Sequence, residues 1–526
     1  MNLLTLPAYR LAEMIRQHQL TSHELVEMAL NKIQAENPTL NAVVHLRAAA
    51  ALKEADQLKD HGQPFLGVPL LLKGLGQRMK GEPDTNGSRL LCNQLAAETD
   101  NFVKALQNAG FIIIGQTNFP EFGYKNITDA KLFGPARNPW NPQFTPGGSS
   151  GGAGAAVAAG WVPIAAGNDG GSIRIPASWC GVIGLKPTRG RMPVGPGNWR
   201  SWQGASINFA LTRSVKDTAL LLKTLQTVQS PAVFQTPLLN RDVLKSNDHS
   251  RLRIGWTTTS PVKTPVSEDA IRAVQEAVTF LQDLGYDCQP YEDPIDGRQL
   301  IDSYYLMNEG ETAAMFASIE QSIKRPVKQN ELELVTWALW QAGKNVTAAE
   351  YINALNVWDQ ASALHAKLHE RFDVLLTPTT AGRPYRIDEP QHAAVFDERL
   401  QKIDQLTAQE QRQLIYDQWL DSLSRTPFTQ AANLTGEPAI SLPTHIAKDG
   451  LPQGIQLTAN KGREDVLCSW LNYLKTMGCS NCATNLFILR SPQNTLNIRC
   501  LEGCLIYLTQ SQESNLHRLA TALPLS

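Results

Sequence analysis

The sequence predicts an α/β protein, because short apolar strands alternate with helix-length amphipathic segments along most of the chain. Three stretches carry that prediction. Thr21 to Glu24 fits a capping box, followed by Leu25, Val26, Ala29, Leu30 and Ile33 on one helical face, with Asn37-Pro38 as the expected end. Val68 to Leu72 is a short apolar run ending in Lys73. After it, Asp100 to Ala109 is helix-like and stops at Gly110, ahead of the apolar strand Phe111 to Ile114. Further on, the strand-like RLRIGW precedes a helix with Ser267 as N-cap, Ile271, Val274, Val278 and Leu281 as its stripe, and Gly285 as its close.

The middle of the chain has a different texture. Residues 138–152 carry turn residues, and Ala153 to Ala159 is a small-residue run suited to a helix packed closely on its neighbours. WVPIAAG reads as a buried strand and NDGGSIR as a tight loop. A polar, helix-rich span covers about 300–425, and FDVLLTPT and EPAISLP read as two more strands. Trp337, Trp340 and Trp358 lie in or near that span and are expected to help build a pocket, although tryptophans are more often core. A length of 526 residues allows three or four domains at roughly 150 residues each. No internal repeat or low-complexity linker divides the chain, so independent domains are not signalled.

Composition excludes several classes. Lys+Arg 48 against Asp+Glu 49 leaves a net charge of −1, which gives no field for steering nucleic acid or an anionic membrane. No window approaches 18 uninterrupted apolar residues, so no transmembrane helix is expected. The N-terminus has no basic start followed by a long apolar core. Eight cysteines in a chain of this length are too sparse for a disulfide scaffold, and a cytoplasmic enzyme with free thiols is the expectation.

Three features carry possible chemistry: Lys73 at the end of an apolar run, Gly147-Gly148-Ser149-Ser150-Gly151-Gly152, and Asn168-Asp169-Gly170-Gly171-Ser172 after a buried strand. Each has a bland reading, as a strand-end lysine, a flexible loop and a strand-to-helix turn. Together they fit a serine nucleophile activated without histidine, since no histidine lies between His61 and His249. A lysine can serve as the base if neutral, which requires its usual pKa of about 10.4 to fall by roughly 3, as burial can achieve. A Gly-Gly-Ser turn exposes successive N–H groups suited to an oxyanion. Gly148 to Gly152 formally matches G-x-S-x-G, but the preceding Asn141 to Pro146 is polar rather than a buried strand. A dinucleotide loop fails because Val157 occupies its last glycine position.

The chain resembles the amidase signature family. The matching stretches are LGVPLLLKGLGQ around Lys73, GQTNFPEFG at 115–123, the Gly/Ser-rich 138–160, GNDGGSIRIPASWCGVIGLKPTRGR at 167–191, LTRSVKDTALLL at 211–222 and PFTQAANLTGEPAISLP at 427–443. LGQRMKGEPDTNGSRLL further resembles the 6-aminohexanoate-cyclic-dimer hydrolase-like amidases.

The resemblance implies one large α/β domain, a mixed twisted sheet covered by helices on both faces. It implies a Ser–cis-Ser–Lys triad in which Lys73 is general base and acid, Ser149 the bridging serine and Ser172 the acyl-forming nucleophile. The N–H groups of Gly170, Gly171 and Ser172, next to Asp169, are the implied oxyanion site. The implied reaction is amide hydrolysis through an acyl-enzyme. The partner is a small-molecule amide, with neither metal nor organic cofactor, neither nucleic acid nor membrane, and a homodimer left open. A glutamine-hydrolysing amidotransferase subunit and a catalytically impaired relic are the alternatives.

Three departures from the family pattern bear on activity. The residue after Lys73 is Gly74, where an aspartate is usual. The loop has two residues between Asp169 and Ser172 instead of three. Family character also ends at about residue 475. The remainder, 476–526, holds Cys479, Cys482, Cys500 and Cys504 in a C-x2-C-x17-C-x3-C spacing one residue too long for the usual zinc ribbon. An altered reading frame or a degenerate tail is the expectation for it.

Overall fold

The computed structural model describes residues 3–240 and 252–469, together with the backbone of 498–501 and 504–507. Among these, eleven strands form one mixed sheet: Val43–Leu46 (β1), Pro69–Lys73 (β2), Ile112–Thr117 (β3), Ile164–Asp169 (β4), Ile183–Lys186 (β5), Ile207–Thr212 (β6), Arg253–Trp256 (β7), Asp287–Pro290 (β8), Val374–Pro378 (β9), Ala439–Ile446 (β10) and Pro452–Ala459 (β11). Their spatial order is β1-β3-β2-β4-β6-β5-β10-β11-β9-β7-β8. The β3-β2-β4 and β9-β7-β8 groups are parallel, and the strands between them pair antiparallel. Two further short strands, Ile498–Leu501 and Cys504–Tyr507, pair only with each other.

The predicted α/β architecture is present, and burial explains it. β2, β3 and β11 are buried at every position, as a sheet covered on both faces requires. Helices Ser22–Leu40, Gly151–Ala158, Arg174–Cys180 and Glu268–Asp283 supply buried stripes against it. Thr21 makes its capping box with Glu24, and Ser267 caps its helix through the Ala270 N–H. The 300–425 span is mostly helical, with β9 and the irregular stretch 379–394 between, and its helices Gly297–Ile323, Leu334–Gly343, Ala348–Arg371 and Ala408–Arg425 pack mainly on one another.

Two element boundaries differ from expectation. The helix expected to end at Asn37-Pro38 runs to Leu40. Pro38 forfeits one bond in the last turn. Asn37 compensates: its Oδ1 accepts from the N–H of Ala42 and Val43 at 2.8 and 2.9 Å, and its carbonyl accepts from Asn41 at 2.7 Å. The strand expected over Phe111 to Ile114 continues through Gly115 to Thr117, because Gly115 pairs with Leu46 of β1.

The tryptophans are core rather than pocket. Trp340 stacks on Phe316 at 4.7 Å and meets Trp337 edge-on at 5.4 Å, while buried Trp358 donates its indole N–H to Ser303 Oγ at 3.0 Å. No helix among the described residues is long and apolar enough to cross a membrane. The expected tail 476–526 lies outside the described residues except for its two short strands.

Candidate active site

The site forms where parallel strands end. Leu71 of β2 lies opposite Ala165 of β4, so Lys73, the last residue of β2, reaches the level at which Asn168 and Asp169 end β4. Lys73 Nζ is 2.7 Å from Ser149 Oγ and 2.5 Å from Asn168 Oδ1. Ser149 lies just before helix Gly151–Ala158, and its peptide bond to Gly148 is cis. Ser149 Oγ is 2.9 Å from Ser172 Oγ, which in turn donates to the Asn168 carbonyl at 3.0 Å. An unbroken polar chain therefore joins Lys73, Ser149 and Ser172.

Lys73 is fully buried, and desolvation brings its pKa down to about 7 against a smaller upward pull from the Asp169 charge. The lysine thus titrates near neutrality, whereas an exposed one stays charged there. Gln77 fixes the strand end, accepting from the Lys73 N–H at 2.8 Å and donating to the Gly167 carbonyl at 2.8 Å.

The short loop is organised by Asp169. Its Oδ1 accepts from the Gly171 N–H at 2.7 Å and its Oδ2 from the Ile173 N–H at 3.1 Å. Arg174 grips the same carboxylate with Nε and Nη2 at 3.1 and 2.9 Å, both side chains being fully buried. Burial raises the carboxylate's pKa, but the Arg174 charge and hydrogen bonds, the Lys186 charge and the Gly171 N–H together outweigh it and hold Asp169 well below the ordinary range. The Gly171 N–H, one of three expected oxyanion donors, is therefore committed to Asp169. Among the described residues, the N–H groups of Gly170 and Ser172 meet no acceptor.

Gly74 has a steric reason. A Cβ built there falls 2.3 Å from Cε1 of Phe119, a ring only 1% exposed. The phenyl ring fills the space that an aspartate side chain would need.

Two cavities meet at Ser172. The larger, about 700 Å³, runs past Leu91, Phe122, Met315, Ile319 and Ile323, with Arg78, Asp84 and Asp100 also on its wall. The smaller, about 50 Å³, is lined by Asn126, Tyr305, Asn308, Trp419 and Gln430 among others. Tyr124, Gly170 and Trp202 border both. Trp337, Trp340 and Trp358 border neither.

The structure brings together Lys73, Ser149, Asp169, Gly170, Gly171 and Ser172. Sequence reasoning assigned no role to Asn168, Gln77, Arg174, Tyr304 or Asn433, the last of which donates from Nδ2 to the Asp169 carbonyl at 2.7 Å. Asn168 and Arg174 flank Asp169 and Ser172 in the same motif, so their place in the chain was a usable signal. Tyr304 carried none, lying 134 residues from the Gly170 it contacts.

A family model described as amidase matches residues 24–468. The chain is 51% identical over 458 residues to a lipoamidase from Enterococcus faecalis, covering 86% of this chain and 60% of that protein's length. It is 33% identical over 468 residues to a 6-aminohexanoate-cyclic-dimer hydrolase from Paenarthrobacter ureafaciens, covering 87% of this chain and 91% of that one. A solved structure of 6-aminohexanoate cyclic dimer hydrolase superposes with a TM-score of 0.82 at 32% identity, covering 93% of this chain and 99% of that chain. The chain belongs to the amidase family, hydrolases of carbon–nitrogen amide bonds.

Proposed function

We propose that this chain is a serine amidase in which Ser172 is the nucleophile, Ser149 the proton bridge and Lys73 the base and acid. The observation that carries the reading is the hydrogen-bonded chain from a fully buried lysine, with its pKa near 7, through Ser149 to Ser172. In the reactive state Lys73 is neutral. One of its N–H groups donates to Asn168 Oδ1, which can only accept, and the lone pair is left facing Ser149.

Ser172 Oγ attacks the amide carbon, its proton passes to Ser149, and the Ser149 proton passes to Lys73. The tetrahedral oxyanion faces the Gly170 and Ser172 N–H groups. Collapse breaks the C–N bond, and the proton returns along the same path to the leaving nitrogen. Water then attacks the acyl carbon by the same relay and releases the acid and Ser172.

The apolar wall of Leu91, Phe122, Met315, Ile319 and Ile323 suits an elongated apolar acyl chain. Together with the lipoamidase relative, it makes an amide of a medium-length carboxylic acid, such as lipoamide, the preferred substrate class. The short loop does not argue for an impaired relic, because Asp169 and Arg174 hold it in a turn that still presents Ser172 to Ser149.

The test is labelling with a fluorophosphonate and peptide mapping, followed by an amide panel that includes lipoamide and the cyclic dimer of 6-aminohexanoate. Modification at Ser172, abolished in Ser172→Ala, is expected. Absence of labelling in folded protein refutes the reading.

A further inference from the structure

The nucleophile loop is short, and its peptide planes are fixed by contacts from remote segments. In a trans peptide the carbonyl and the N–H point in opposite directions, so pinning one aims the other. Asn433 Nδ2 donates to the Asp169 carbonyl at 2.7 Å, which turns the Gly170 N–H away from Asn433. The Tyr304 hydroxyl donates to the Gly170 carbonyl at 2.8 Å, which turns the Gly171 N–H back toward Asp169 Oδ1.

Trp202 closes the other side. A Cβ at Gly170 would fall 2.7 Å from the Trp202 ring, so the ring lies against the backbone of this residue. Trp202 meets Tyr304 edge-on at 6.0 Å and lies parallel to Tyr124 at 6.1 Å. Its own backbone is left-handed, with φ 48° followed by φ 50° at Gln203, a conformation that non-glycine residues keep only where surroundings enforce it. Gln203 supplies that enforcement by donating to Glu311 Oε1 and the Tyr351 hydroxyl at 2.8 and 3.0 Å.

We infer that Tyr304, backed by Trp202, is a positioning residue that holds the Gly170–Gly171 peptide with its N–H on Asp169, and so fixes the loop from which the flanking Gly170 and Ser172 N–H groups face the oxyanion. The inference rests on the amidase reading above. Tyr304 also lines the smaller cavity at Ser172, and the role inferred here is carried by its bond to the Gly170 carbonyl.

The experiment compares wild type with Tyr304→Phe, and with Tyr304→Leu as a second variant lacking the hydroxyl. Steady-state amide hydrolysis is combined with inhibition by a trifluoromethyl ketone, which adds to a serine to form a tetrahedral oxyanion. Removing an oxyanion donor outright costs about 10²- to 10³-fold. Loosening its support is expected to lower kcat by about 10- to 100-fold, with KM within about twofold. Ketone affinity is expected to fall by the same factor as kcat/KM.

Unchanged kcat and ketone affinity in folded Tyr304→Phe overturn the inference, as does a rise in KM at constant kcat. A wild-type protein that neither hydrolyses amides nor labels at Ser172 instead refutes the amidase reading itself.

Discussion

Replacing Asn168 by aspartate tests the proposed base directly. Asn168 Oδ1 lies 2.5 Å from Lys73 Nζ, so Asn168→Asp places a carboxylate in contact with the buried ammonium at almost no change in volume. The cost is the weak bond from Asn168 Nδ2 to the Leu75 carbonyl at 3.4 Å. At present desolvation wins and the lysine pKa is about 7. An opposite charge within about 4–6 Å typically moves a pKa by about 1 to 3, here upward, to between about 8 and 10.

The sign follows from the role. A base must be unprotonated, so activity is lost as pH falls through the lysine pKa. In wild type log(kcat/KM) is expected to rise with unit slope below about pH 7 and level off above it. In Asn168→Asp the same limb moves to about pH 8–10. Activity at pH 7, where half of the wild-type lysine is neutral, then falls by about 5- to 500-fold and returns at alkaline pH. The assay is kcat/KM for one amide between pH 5.5 and 10.5, with folding checked by circular dichroism. An acid limb that stays in place in a folded variant refutes Lys73 as the titrating base. A uniform loss at all pH values refutes the electrostatic account of Asn168.

Two further expectations concern the departures from the family pattern. Gly74→Ala drives a Cβ to 2.3 Å from Phe119 and is expected to destabilise the protein by about 1–3 kcal/mol in thermal or urea unfolding, an effect that Phe119→Leu in the same chain relieves. A deficit unchanged by Phe119→Leu refutes the steric explanation. Inserting one glycine between Gly170 and Gly171 is expected to lower activity by at least about 10²-fold, because Asp169 then loses its register with the N–H groups of Gly171 and Ile173. A gain in hydrolysis would show instead that the short loop is a defect.

Much of the fold was legible because its signals are local. The Thr21 capping box, the apolar run ending at Lys73 and the small-residue helix after Ser150 each declare themselves within a dozen residues. Misjudged boundaries came from partners outside the window. Gly115 continues its strand because Leu46 pairs with it, and the helix outlasts Pro38 because the Asn37 side chain reaches forward to the next strand. The tryptophans of the helical span were misplaced for the same reason, since composition does not say which face of a helix meets a cavity.

By itself the sequence determined the α/β class and the residues available for chemistry: Lys73, Ser149 and Ser172, with Asp169 at the turn. Contiguous motifs suffice for that, because strand ends and glycine turns are set by a few neighbouring residues. Only the tertiary structure decided what those residues experience. The burial that lowers the Lys73 pKa comes from the whole sheet and its covering helices. The aim of the short loop depends on Tyr304, Trp202 and Asn433, which lie tens to hundreds of residues away. Desolvation and long-range hydrogen bonds are properties of the assembled volume, and a linear pattern of residues does not carry them.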